Sequence, residues 1–172
     1  NEHLTLEVYQ FIFNKWPPAI WMRDEMGSLP IHALSITKTT DQAASIEILR
    51  SMLDINPTFV REIDSSMYRP IDWAAYIKST DFCKVLIDAY PESLKAEASH
   101  GLPIHLVVSH YNERADAVDT IQYMLELDPD LINAEDSDGY LPIHLAAMHG
   151  NSKSIELLFK FDPDAASKGV NN

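Results

Sequence analysis

Histidine is the residue type in this chain best suited to hold a metal ion, and the sequence contains seven. His32, His105 and His144 occupy equivalent places in a repeated tetrapeptide, so stacked repeats would place them in successive layers and not around one ion. His100, His105 and His110 are five residues apart, whereas ligand pairs on one helix face need a spacing of three or four. We therefore expect structural hydrogen bonds from the repeated histidines, and no metal site.

Three pairs of aspartates could be calcium ligands or a catalytic carboxylate dyad: Asp128/Asp130, Asp162/Asp164 and Asp136/Asp138. Each pair lies in a turn that flanks a predicted helix, where aspartate commonly bonds the local backbone. No H-E-x-x-H, C-x-x-C, G-x-G-x-x-G or G-x-x-x-x-G-K-[ST] motif is present, and no nucleophile aligns with a base and an orienting group. The sequence therefore predicts no enzyme and no cofactor.

Charge and composition narrow the class of partner. The 26 acidic and 13 basic residues give a formal net charge of −13, which opposes attraction to phosphate backbones and anionic membranes. No apolar run approaches the roughly 20 residues that span a bilayer, and the first residues lack the order of a signal peptide. The lone Cys83 cannot form an internal disulfide. We expect an intracellular, cytoplasmic protein without nucleic-acid binding or membrane insertion, and the oligomeric state stays open.

A proline-anchored tetrapeptide recurs along the chain as LPIH, RPID, LPIH and LPIH. Its prolines are Pro30, Pro70, Pro103 and Pro142, with gaps of 40, 33 and 39 residues. A second series follows apolar residue pairs, at Pro17, Pro57, Pro91, Pro129 and Pro163. The first four of these precede the next anchor by 13, 13, 12 and 13 residues. Two series in fixed phase, with a period near 33 and occasional insertions, predict a solenoid of stacked repeats.

One repeat is predicted to contain a first helix, a turn, a second helix and a protruding loop. Proline suits the first position of a helix, so a short helix is expected at each anchor. In the last repeat Gly150 is placed to end that helix, and NSKSIELLFKF shows the apolar spacing of a second one. The later proline is expected to end the second helix and lead into a short extended stretch. The Asp138-Gly139 turn then leads toward the anchor.

These residues resemble the ankyrin family, whose repeat carries D-x-x-G-x-T-P-L-H-x-A-A before an apolar second helix. The match is strongest in DSDGYLPIHLAAMHG, residues 136–150, and looser in DEMGSLPIHA, residues 24–33. The resemblance implies an all-α ankyrin-type solenoid, with 1–172 as a single domain. We expect a half repeat at about 3–20, whose lone outer helix covers about 3–16, and repeats at about 24–60, 64–94, 95–132 and 136–166, with insertions near 37–45 and 111–119. The residues expected to be structural are Pro30, His32, Pro70, Pro103, His105, Pro142, His144, Gly139 and Gly150.

The chain also departs from the family pattern. The threonine before the anchor proline is replaced in every repeat, by Leu29, Arg69, Leu102 and Leu141. Without that hydroxyl, each first helix is expected to lack a cap that contributes about 1 kcal/mol. The second repeat has Asp72 where the others have histidine, and Met67 where Gly27 and Gly139 lie. We expect a local irregularity there.

The resemblance further implies that a partner binds at loop tips and at the exposed ends of the first helices. Aligned on the anchor prolines, the candidate residues are Met26, Ile36, Tyr68, Tyr76, Ile77, His110, Tyr140, Met148 and His149. The tyrosines and Met148 lead, because tyrosine and methionine are enriched in protein interfaces, although each could equally be ordinary solvated surface. We expect a non-enzymatic scaffold whose partner, another protein or a larger complex, is partly apolar and on balance basic, and meets the loop tips and the concave first-helix face.

An alternative is a regulatory or structural ankyrin segment of a larger multidomain protein or complex, with any catalysis elsewhere. Terminal repeats normally carry polar caps, yet Phe11 and Phe13 lie near one end and Phe159 and Phe161 near the other. We expect the full protein to extend beyond both ends of this sequence.

Overall fold

Helices joined by short turns make up the part of the chain that the structure describes. The computed structural model describes residues 11–13, 15–38, 41–109 and 115–164. The chain divides into two compact units, Asn1–Tyr90 and Pro91–Asn172, named here the N-terminal unit and the C-terminal unit. In the described ranges the β-structure is limited to one isolated bridge between Ala98 and Gly101. The predicted all-α repeat fold is therefore confirmed, whereas the single domain over 1–172 and the bounds of its repeats stay predictions.

The described residues of the N-terminal unit from Pro17 onward form two helix pairs. Its elements are the 3-10 helix η1 (Pro17–Trp21), α1 (Pro30–Ile36), α2 (Gln42–Ile55), η2 (Pro57–Arg61), α3 (Pro70–Ile77) and α4 (Thr80–Ala89). The first helices pack against each other, α1 on α3, and the second helices do the same, α2 on α4. This packing of equivalent helices against each other buries the apolar faces that a single repeat would leave exposed.

The C-terminal unit repeats this arrangement. Its elements are η3 (Pro91–Lys95), α5 (Pro103–Val108), α6 (Ala117–Leu127), η4 (Pro129–Asn133), α7 (Pro142–Met148) and α8 (Ser152–Phe161). Helix α5 packs on α7, and α6 packs on α8. The isoleucine of every anchor tetrapeptide is buried in its unit, at Ile31, Ile71, Ile104 and Ile143.

The first helices begin at the anchor prolines, as the sequence predicts, but their capping differs from the expectation in one respect. No N-cap side chain supplies the missing hydroxyl. Instead the residue two after the proline turns back to accept the N–H of the N-cap residue. His32 Nδ1 accepts from Leu29 N at 3.1 Å, and Asp72 Oδ2 accepts from Arg69 N at 2.7 Å. The N-cap side-chain bond is therefore missing, as the sequence predicts, while half of a capping box satisfies another backbone donor of each helix.

Four prolines of the second series start short 3-10 helices that the sequence did not predict, and extended residues follow at Glu62 and Ala134. Pro57, Pro91 and Pro129 each occupy the first position of a five-residue 3-10 helix, η2, η3 and η4. The fixed φ of proline suits the start of a 3-10 helix as well as the end of the preceding α-helix. At η2 and η4 a side chain stabilises the turn, because Asn56 Oδ1 accepts from Thr58 N at 3.1 Å and Asp128 Oδ1 accepts from Asp130 N at 3.3 Å.

The irregularity expected in the second repeat is absent. Met67 adopts a φ of 65°, close to the 69° and 80° of Gly27 and Gly139 at the equivalent positions. Asp72 takes the place of the histidines at the start of α3. The backbone keeps its repeat conformation because tertiary packing outweighs the cost of a left-handed methionine, which is about 1–2 kcal/mol.

Some expectations fall on residues that the structure does not describe. Of the predicted lone helix at 3–16, residues 11–13 are helical, and 3–10 and 14 lie outside the described ranges. The insertion near 111–119 lies partly outside them, and so does the one near 37–45, after which α2 begins at Gln42.

Candidate functional site

Three loops that lead to anchor prolines are built in the same way on an aspartate. Oδ1 of Asp24 accepts hydrogen bonds from Met26 N and Ser28 N, at 2.9 and 2.8 Å. Oδ1 of Asp64 likewise accepts from Ser66 N and Tyr68 N. In the last repeat, Oδ1 of Asp136 accepts from Asp138 N and Tyr140 N. These carboxylates are used to shape the loop, which is the local backbone role that the sequence indicated for the Asp136/Asp138 pair.

The loop of the third repeat is different because it is one residue shorter. The distance from Pro91 to Pro103 is 12 residues, against 13 in the other repeats. Here Ala98 and Gly101 exchange backbone hydrogen bonds of 3.0 and 3.2 Å, and Gly101 has a φ of 100°. A Cβ at Gly101 would lie 2.8 Å from Cβ of Asp136 and 3.1 Å from Nδ1 of His105, so glycine is required by space as well as by conformation.

The tips of the two loops in the N-terminal unit lie against each other. Ser65 N donates to Met26 O at 3.0 Å, and a Cβ on Gly27 would come within 2.6 Å of Ser65 Oγ. Arg23 spans both loops: its Nη1 donates to Gly27 O at 2.6 Å and to Ile63 O at 2.9 Å. Its Nη2 also pairs with Glu62, although so exposed an ion pair adds little stability by itself. The backbone of this pair of tips is thus held in one arrangement.

Two methionines project from these fixed tips. The side chain of Met26 is 60% exposed and that of Met67 is 58% exposed. We name the tips 24–28 and 64–68, with these two side chains, the loop-tip surface. Methionine is flexible and polarizable, so it adapts to the shape of an apolar partner without demanding one orientation. The surface therefore combines a rigid backbone with adaptable apolar side chains.

Met67 was flagged from the sequence as an irregularity and not as a partner-binding residue. The signal that could have identified it is its place at the glycine position of D-x-x-G, which is a loop tip in every repeat that has this motif. Other exposed apolar side chains of this unit that the sequence did not indicate include Met22, Ile55 and Ile63.

The predicted partner-binding residues of the N-terminal unit divide into exposed and buried. Met26 and Ile36 are exposed, and Ile77 is half-buried. Tyr68 is buried at 7% exposure, with its ring 4.8 Å from that of Trp73. Its expected role as an exposed contact is therefore corrected. Tyr76 is half-buried, hydrogen bonds to Tyr68, and has its pKa raised by burial.

In the C-terminal unit the exposed candidate is Met148, at 63% exposure. Tyr140 is half-buried, and its ring meets that of His144 edge to face at 6.5 Å between centroids. His149 is also half-buried, and His110 lies outside the described residues. The candidates of this unit therefore offer one strongly exposed apolar side chain.

His32 and His105 each use both ring nitrogens. Nε2 of His32 lies 3.0 Å from Glu62 O, and Nε2 of His105 lies 3.0 Å from Ala134 O. Since Nδ1 accepts from the N-cap residue in each case, Nε2 carries the proton and the ring is neutral. Burial lowers the pKa of both histidines, in agreement with that form. These two rings each tie the start of a first helix to the loop that leads into the next repeat.

Lys78, at the end of α3, is a buried cation that the sequence reading did not single out. It is 1% exposed, and its Nζ donates to Thr37 O at 2.7 Å and to Ser45 Oγ at 3.1 Å. The ammonium also lies 4.8 Å from the centre of the Phe82 ring. Burial lowers the pKa of Lys78 to about 8. Its contacts join the end of α1 and the start of α2 to the neighbouring pair, which is a structural function.

Comparison with known proteins gives the class to which this fold belongs. A family model described as ankyrin repeats, in three copies, matches residues 71–169. The chain belongs to the ankyrin repeat family, whose members generally mediate protein–protein interaction and are generally not enzymes. Among the described residues, no helix is both long and apolar enough to cross a membrane.

The chain also has a low sequence identity to curated proteins, in alignments that cover most of its length. Inversin of Mus musculus and Inversin of Canis lupus familiaris are each 24% identical to it over 147 residues, and Inversin of Homo sapiens is 24% identical over 148 residues. The alignments cover 84% of this chain and 13% of each relative. The chain thus spans about an eighth of the length of these relatives.

Proposed function

We propose that this chain is a non-enzymatic scaffold that binds another protein, and that the loop-tip surface is one of its contact regions. The observation that carries the proposal is the pair of exposed methionines on two tips whose backbones are fixed to each other. A pre-formed backbone reduces the ordering cost of binding, and exposed apolar side chains supply the area that is buried. Ile36, at the exposed end of α1, supports a contact that continues onto the first helix.

Charge supports a partner that is basic around its apolar contact. Asp24 and Glu25 are exposed beside Met26, and the positive charge of Arg23 is offset by Glu62. The net charge of −13 acts in the same direction over the whole chain. Complementary charge speeds association and rejects acidic competitors more than it adds affinity. We therefore propose a protein partner that presents an apolar side chain flanked by lysine or arginine.

The test compares two variants of the full chain. The double variant M26S/M67S removes both exposed methionines, and I55S removes an exposed apolar side chain at the end of α2, outside the two tips. Proteins from the native source that bind the wild type are identified by quantitative mass spectrometry, purified, and titrated against all three chains. We expect at least one partner whose Kd is weakened about tenfold or more by M26S/M67S and unchanged by I55S, since that loss matches truncation of a contact worth about 1.4 kcal/mol.

Two outcomes would contradict the proposal. Partners that bind wild type and M26S/M67S equally would remove the loop-tip surface from the interface. Equal weakening by M26S/M67S and I55S would show a general effect of lost apolar surface and no specific site. Circular dichroism and urea unfolding of each variant establish that the fold is intact.

A second candidate is a regulatory or structural segment of a longer protein, with any catalysis elsewhere. The observation that favours it is that the matched region makes up 13% of each Inversin relative. Sequencing the full transcript separates a free-standing array from such a segment, and the partner titration remains valid for either one.

A further inference from the structure

Two buried aspartates near the start of α3 are bonded very differently. Asp64, 5% exposed, accepts three N–H bonds. They come from Ser66 N at 2.9 Å and Tyr68 N at 3.1 Å to Oδ1, and from Trp73 Nε1 at 2.7 Å to Oδ2. A side chain whose two oxygens receive three donors is satisfied as an ionised carboxylate.

Asp72 has much weaker support for a negative charge. It is 0% exposed, and its Oδ2 accepts from Arg69 N at 2.7 Å. The guanidinium Nη1 of Arg69 lies 3.7 Å from the same oxygen, beyond hydrogen-bond distance. Among the described residues, Oδ1 has no hydrogen-bond partner. One N–H bond and an ion pair at 3.7 Å without a hydrogen bond do not replace the hydration that a carboxylate loses on burial.

The position of Asp72 in the repeat is one that a neutral group occupies elsewhere. His32 and His105 stand at the equivalent place, accept from the N-cap N–H through Nδ1, and carry their proton on Nε2. A protonated carboxyl group has the same two kinds of group, one accepting oxygen and one O–H, although the O–H of Asp72 lacks the carbonyl partner that each Nε2 has. An ionised carboxylate has acceptors alone.

The charges around Asp72 shift its pKa in opposite directions. Burial raises the pKa of Asp72 to about 7, Arg69 opposes that rise, and the charge of Asp64 adds to it. Tyr76 on the same helix also interacts with Asp72. The other titratable or charged residues of the described elements packed on α3 are His32 of α1, Arg61 of η2, and Asp81, Cys83, Lys84 and Asp88 of α4. None of these is among the groups that contribute most to the shift.

We propose that Asp72 is a proton-binding site: the folded protein keeps a proton on Asp72 beside the ionised Asp64, and loss of that proton destabilises the start of α3. The unfolded chain releases the proton at a lower pH than the folded one, so the folded state binds more protons between about pH 4 and pH 7. Raising the pH through this window shifts the unfolding equilibrium toward the unfolded state, by up to about tenfold per pH unit.

The direct test observes the carboxyl carbon of Asp72 by NMR in the full chain. Aspartate is labelled with 13C, the Asp72 signal is assigned by its loss in D72N, and its chemical shift is followed from pH 4 to pH 9. We expect a midpoint near neutral pH. A carboxyl carbon already at its ionised shift at pH 5.5 would overturn the proposal, and because the measurement uses the wild type it does not depend on how a variant folds.

A second test measures urea unfolding of wild type, D72N and D54N at pH 5 and pH 8. Asparagine keeps an accepting oxygen and a donating group at position 72 without an ionisable proton. D54N removes an exposed carboxylate of α2 as the matched control. We expect the urea midpoint of D72N, relative to that of wild type, to be higher at pH 8 than at pH 5. The midpoint of D54N relative to wild type should be the same at both pH values. Because burial lowers the pKa of His32 and His105, these residues favour the folded state more as the pH rises. All three chains contain them, so their effect cancels when each variant is compared with wild type at the same pH. An equal pH response of D72N and wild type would overturn the proposal.

Discussion

Met67 couples stability to binding at the scale of a single residue. It holds a left-handed φ of 65° that glycine adopts at no steric cost, yet its side chain is 58% exposed and makes little core contact. We predict that M67G raises the free energy of unfolding by up to about 1 kcal/mol, because relief of about 1–2 kcal/mol of strain outweighs the added entropy of the unfolded chain. Urea unfolding measures this change, and partner binding is expected to weaken in the same variant.

The matched control for M67G is M67A. Alanine removes the same exposed side chain but keeps the Cβ that makes the left-handed conformation costly. We expect M67A to lose partner binding like M67G without the gain in stability. If M67G were no more stable than M67A, the strain at position 67 would be too small to matter. If both variants kept full binding, methionine at this position would have no part in the contact.

At the scale of the element, a repeated histidine joins the start of one first helix to the loop of the next repeat. His105 is fully buried and bonds Leu102 N at 3.1 Å and Ala134 O at 3.0 Å. We predict that H105A lowers the free energy of unfolding by about 2–5 kcal/mol, because it leaves a buried donor and a buried acceptor unpaired. H144A is the comparison, since His144 is half-buried and accepts from Leu141 N at 3.2 Å. Thermal and urea unfolding should show the larger loss for H105A, and equal losses would contradict the role of the Ala134 bond.

The helices were predictable because their signals are local and repeat in phase. Anchor prolines fix where α1, α3, α5 and α7 begin, and the isoleucine after each of them is buried as its apolar character requires. The reciprocal cap from the third helical residue was not foreseen, since it depends on how the side chain turns back on the chain. The 3-10 helices after the second prolines were missed for a related reason, because proline ends one helix and can begin another.

The candidate site was less predictable, since exposure depends on three-dimensional packing. Tyr68 and Met67 are neighbours on one loop, yet Tyr68 is buried against Trp73 and Met67 is exposed. The family pattern marks both as loop residues and does not say which one turns toward α3. The burial of Lys78 could not be predicted either, because nothing in its local sequence indicates that the ammonium bonds Thr37 O and Ser45 Oγ.

At the scale of the whole molecule, charge governs how fast a partner arrives. The formal charge of −13 produces a field that attracts a basic partner before any contact forms, whereas the methionines of the loop-tip surface act after contact. We predict that raising the salt concentration from about 20 mM to about 500 mM lowers the association rate constant about tenfold or more and changes the dissociation rate constant far less, because the Debye length falls from over 20 Å to under 5 Å. M26S/M67S should show the reverse, with faster dissociation and an unchanged salt dependence of association. Stopped-flow or surface-based kinetics with the purified partner separates the two constants. A salt-independent association rate would show that the partner is not basic where it meets the chain, even if the methionines still held it.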